Sequence, residues 1–111
     1  MNLFKPFRIR SAARDGETDK HRFERLSLAV ASCRAEIGRE KEGLRRRYDE
    51  SRRDAGFAME VLEESPSSGK LAAGLDQHSD AILSYEKRLR TLEAQDQLLG
   101  KISALTAELK T

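Results

Sequence analysis

Between Leu71 and Leu92 the side chains Leu71, Leu75, His78, Ile82, Tyr85, Leu89 and Leu92 follow one another at alternating intervals of four and three residues. Two turns of an α-helix span close to seven residues, so this spacing puts all of them on one narrow face. A helix with so thin an apolar stripe gains little by standing alone in water. It needs a partner that carries a matching stripe.

A matching stripe lies earlier in the chain. Leu26, Val30, Cys33, Ile37, Leu44, Tyr48, Ala55, Ala58 and Leu62 recur at three, four or seven residues, and no proline interrupts Thr18 to Glu64. Several members are eleven apart, such as Leu26 and Ile37, which predicts a nearly straight helix rather than a tight left-handed supercoil. Thr18, with Asp19 behind it, suits the N-cap of this helix. Ser65-Pro66 stops it, because a residue before proline is pushed out of the α region, and Pro66 suits the first turn of the next helix. So short a turn makes the two helices antiparallel.

Residues whose numbers sum to about 133 then face each other, Tyr48 with Tyr85 and Leu44 with Leu89 among them. The sequence thus predicts an all-α fold, a long, coiled-coil-like antiparallel helical hairpin. A flexible basic leader takes residues 1–17, helix 1 runs over about 18–64, the turn over 65–69 and helix 2 over about 70–109. Gly38, Gly43, Gly56, Gly74 and Gly100 weaken these helices by about 1 kcal/mol each relative to alanine. A break at Gly38 or Gly43 would turn the hairpin into a three-helix bundle.

Composition fits thin amphipathic helices better than a deep core: charged residues at 36% nearly match hydrophobic ones at 38%, and aromatics are 5%. A net charge of only +2 and the regular spacing argue against disorder. Charge is unevenly placed, with four basic and no acidic residues in 1–14, eight basic against five acidic in 34–53, and four acids alone in 54–64. A basic shaft with an acidic tip gives an assembly a direction. The lone Cys33 permits no internal disulfide, and no apolar run suits a secretory signal or a membrane span, which predicts a cytoplasmic protein.

No motif carries chemistry. His78 points toward the seam while Asp76 and Asp80 share the opposite face, so "LDQHSD" does not converge on a metal. Cys33 sits on the apolar face with no histidine near it, which suits a small buried hydrophobe rather than a nucleophile. No glycine-rich phosphate loop or nucleophile elbow is present. The expectation is a non-enzymatic chain without metal, cofactor or catalytic residues.

Three places invite a partner. After Leu92 the stripe changes phase, and Leu98, Ile102, Leu105 and Leu109 form a face rotated away from the seam, so that either the chain bends at Gly100 or this face meets a second copy. Phe57 and Val61 lie one turn apart, off the core face of helix 1. The leader "MNLFKPFRIR" offers Phe4, Phe7 and Ile9 among basic residues, suited to a protein groove, an anionic membrane surface, or the open base of the hairpin.

A homo-oligomer and a protein partner are therefore expected, with membrane contact open to the leader. Arg34, Lys41, Arg45 and Arg52 make an acid-free stripe that could track phosphates. The stripe also borders the seam opposite Glu86 and Glu93. Pairs of Lys41 with Glu93 and Arg45 with Glu86 would consume it, and no aromatic is interleaved for base stacking, so the sequence argues against nucleic acid as partner.

Overall fold

The structure, a computed structural model, describes residues 11–109. Phe4, Phe7 and Ile9 lie outside these residues. Two helices, α1 (Ala12–Glu64) and α2 (Gly69–Leu109), pack against each other as an antiparallel hairpin measuring 99 × 21 × 15 Å. Both helices are continuous. α1 runs through Gly38 and Gly43, which excludes the three-helix alternative, and α2 runs through Gly100 without a break.

α1 starts six residues before Thr18. Its N-cap is Ser11, whose hydroxyl accepts from the Arg14 N–H at 3.3 Å, and Thr18 instead donates its hydroxyl to the Arg14 carbonyl at 3.0 Å, inside the helix. Ala12, Ala13 and Arg14 are strong helix formers, so the cap moves to the serine in front of them. At the other end, the Ser65 N–H donates to Val61 O at 2.9 Å and closes α1. Pro66 lies in the turn rather than in the first turn of α2. The cap there is Ser68, whose hydroxyl accepts from the Leu71 N–H at 3.3 Å.

The seam follows a strict heptad. Its positions on α1 are Phe23, Ser27, Val30, the exposed Arg34, Ile37, Lys41, Leu44, Tyr48, Ser51, Ala55, Ala58 and Leu62, which alternate four and three throughout, while Asp15, Glu24, Gly43 and Val61 are half-buried outside this alternation. This corrects two assignments: Leu26 and Cys33 are exposed, because the phase set by Leu44–Leu62 carries past them into Ser27 and Arg34. It also replaces the eleven-residue spacing with the seven-residue one that goes with a left-handed supercoil. On α2 the same alternation continues beyond Leu92 through Asp96, Leu99 and Thr106.

Register agrees with the antiparallel pairing to within a few residues. Lys41 bonds Glu93 and Tyr48 bonds Glu86, each pair summing to 134, while Phe23 shares a groove with Leu109. The core is thin: among the described residues only Val30, Ile37, Ala55, Leu92 and Thr106 are buried, and of these Leu92, at 1% exposure, is the large side chain that is fully enclosed. Thr106 is accommodated by donating its hydroxyl to the Ile102 carbonyl at 2.8 Å.

Two substitutions probe this frame. Truncating Leu92→Ala should lower stability by about 2–4 kcal/mol in chemical denaturation, since the cavity opens at the best-packed layer. A β-carbon at Gly38 or Gly43 would meet no atom within 4 Å. Gly38→Ala and Gly43→Ala should each therefore raise stability by about 0.5–1 kcal/mol, read as a higher melting temperature by circular dichroism.

Candidate protein interface

A two-helix rod has two lateral faces beside its seam, and ion pairs between the helices mark which residues share each. On one side Arg34 donates to both carboxylate oxygens of Asp96, at 2.9 and 3.4 Å, Lys41 pairs with Glu93, and the Tyr48 hydroxyl donates to Glu86 at 3.0 Å. On the other, Arg88 grips Glu40 with two bonds of 2.6 and 3.1 Å. We refer to these as the Asp96 side and the Arg88 side.

The Asp96 side absorbs most of the basic stripe. Arg34 and Lys41 are paired as above, and the Arg52 guanidinium lies 5.5 Å from the centre of the Tyr48 ring. The Arg34 guanidinium passes close to Gly100 of α2, where an added β-carbon would stand 3.4 Å from its nitrogen, in ordinary contact. The pairing of Arg45 with Glu86 does not form, and Glu86 instead accepts the Tyr48 hydroxyl. Among the described residues Arg45 has no ion pair. Three of the four cations suggested for phosphate contact are thus engaged within the hairpin.

Arg34–Asp96 went unrecognised in the sequence, where Asp96 reads only as a break in the apolar stripe. The signal that could have found it is a cation and an anion at seam positions whose numbers sum to 130.

The Arg88 side is different in kind. Stepping back from Glu40 by whole heptads gives Cys33 and Leu26; stepping forward from Arg88 by two and three heptads gives Ile102 and Leu109. All four therefore border the same side near the open end. Leu98 and Leu105, 59% and 60% exposed, lie beside Ile102 and Leu109 one turn away. The candidate residues of the C-terminal stripe are thus brought together, with Ile102 half-buried at the seam edge and the three leucines in solvent. Leu26 and Cys33, misassigned to the core, complete the patch from α1.

At the tip, Val61 is seven-residue multiples from Glu40, hence also on the Arg88 side, and Phe57 is 70% exposed next to it. Phe57 lines a groove of about 480 Å³ with Ala58, Leu71, Gly74 and His78, edged by Asp54 and Lys70. His78 is half-buried there, while Asp76 and Asp80 are exposed. His21, the other histidine, lies 3.7 Å from the Glu24 carboxylate on the exposed first part of α1. Among the described residues no group of three or more His, Cys, Asp or Glu converges to hold a metal ion, and no helix is long and apolar enough to cross a membrane.

Comparison with protein-family models, with curated proteins and with solved structures returns no match for this chain. Function is therefore argued from the geometry above.

Hydrogen bonds from Arg34 hold the Asp96 carboxyl below its ordinary value of 3.8, and those from Arg88 hold Glu40 below 4.5. A carboxylate with a depressed folded pKa contributes its stability above the unfolded value and loses it as pH falls through the folded one. Wild type should accordingly melt higher than Asp96→Asn at pH 7. The gap should close as pH drops below about 4, in thermal melts run side by side.

Proposed function

We propose that this chain is a non-enzymatic, cytoplasmic assembly module, a rigid helical hairpin that associates with itself through apolar side chains the seam leaves uncovered. The observation that carries the reading is the imbalance between core and surface. Four hydrophobic side chains are buried in the hairpin, whereas Leu28, Phe57, Leu83, Leu98, Leu105 and Leu109 are each about 60–70% exposed. Leu28, Phe57 and Leu83 are scattered, which is ordinary for a surface, but Leu98, Leu105 and Leu109 form one ridge with the half-buried Ile102, and a contiguous apolar ridge on a thin rod is suited to contact.

The charge pattern supports specificity in the same contacts. The shaft of α1 keeps Arg39, Arg46, Arg47 and Arg53 in solvent, and the tip carries Glu60, Glu63 and Glu64. Like charges along one segment disfavour parallel stacking of identical shafts and favour arrangements in which unlike segments meet.

Sedimentation equilibrium of the full chain at micromolar concentrations should give a mass of at least twice the monomer's 12.5 kDa, and the melting temperature should rise with protein concentration. A concentration-independent monomer on both measurements would end this reading.

A further inference from the structure

Resting on that reading, we infer that the docking surface for a second copy is the Arg88 side of the open end, where Leu98, Ile102, Leu105 and Leu109 of α2 lie beside Leu26 and Cys33 of α1. The two halves of this patch overlap along the rod. Residues 26–33 stand opposite residues 100–107 in the antiparallel register, so the apolar stretch of α1 on this side falls within the length of the α2 ridge, Leu98 to Leu109. Polar groups bound the patch at both ends, Arg22 and Asp19 toward the start of α1 and Glu36 with the Glu40–Arg88 pair toward the shaft.

The α2 ridge is complementary to itself. Its spacing of four, three and four residues is a second heptad seam, separate from the one that closes the hairpin. A twofold axis crossing it between Ile102 and Leu105 sets Leu98 against Leu109 of the second copy and Ile102 against Leu105, giving a short antiparallel four-helix bundle.

That same axis brings α1 of each copy into line so that Leu26 meets Cys33 and Arg22 meets Glu36, twice over by symmetry. Arg22 and Glu36 are both exposed, and Arg22 has only a 3.5 Å contact with Asp19 at the edge of pairing distance. A second copy thus supplies both the apolar surface and the opposite charge that the patch presents. The tip patch around Phe57 stays outside this interface, some 40 Å along the rod at 1.5 Å per residue.

The test is sedimentation equilibrium on the full chain and on single variants, with helicity checked by circular dichroism. Leu105→Glu should weaken dimerisation roughly a hundredfold or more, because one substitution buries two carboxylates. Phe57→Ser should leave it within about twofold of wild type. Leu105 is 60% exposed, so its variant should keep the hairpin's helicity, and Leu98→Gln repeats the measurement with a milder change.

Arg22→Glu and Glu36→Arg should each weaken association by about fivefold or more, and the double variant should restore it. A dimeric wild type whose Leu105→Glu and Leu98→Gln variants remain dimeric would overturn the location while leaving self-association intact. Loss of the dimer in Phe57→Ser, or no recovery in the charge swap, would overturn the base-to-base twofold. A wild type that is monomeric would remove the proposed function itself.

Discussion

The seam between α1 and α2 fixes everything else, and its phase is set where its apolar content is richest. Leu44, Tyr48 and Leu62 against Leu75, Ile82, Leu89 and Leu92 lock the rotation of each helix about its own axis. A helix is stiff, so that rotation propagates at a fixed angle per residue whatever side chains come next. In the open half the seam therefore receives Ser27, Arg34, Asp96 and Thr106, and apolar residues one position away are turned out into solvent. The exposed leucine face follows from the phase of the apolar half rather than from any local choice.

Several polar groups at seam positions find a local partner. Thr106 donates back to its own helix, Arg34 forks onto Asp96 across a glycine, and Lys41 reaches sideways to Glu93. Such pairs add little net stability, because desolvation offsets much of the attraction. Their effect is on register: a one-turn slip would separate Arg34 from Asp96 and Glu40 from Arg88 together. Register is thereby specified at the end where the apolar contacts are weakest.

Much of the fold could be read from residue spacing, and the reasons for the failures are local. Leu71 through Leu92 kept strict periodicity without a polar interruption other than His78, so the second helix and the antiparallel pairing were plain. Leu26 and Cys33 misled because hydrophobicity was followed where phase should have been, and Arg34 and Lys41, which occupy the seam, looked like surface charge. Thr18 looked like a cap because acidic residues follow it, yet Ser11 stands before two alanines. Leu98, Leu105 and Leu109 were legible as a rotated face; that Leu26 and Cys33 would join them on one side needed the Glu40–Arg88 pair to orient the two helices.

α1 begins well beyond the last described residue of α2. Phe23 lies beside Leu109 in a groove that Gly16, Asp19 and Lys20 also line, and the first turns of α1 carry a serine cap and short-range contacts among Asp19, Lys20, Arg22 and Glu24. The eleven residues from Ala12 to Arg22 extend α1 by about 16 Å ahead of Phe23. This extension lies ahead of the first buried seam residue, Val30, so opening it exposes none of the core that holds the two helices together.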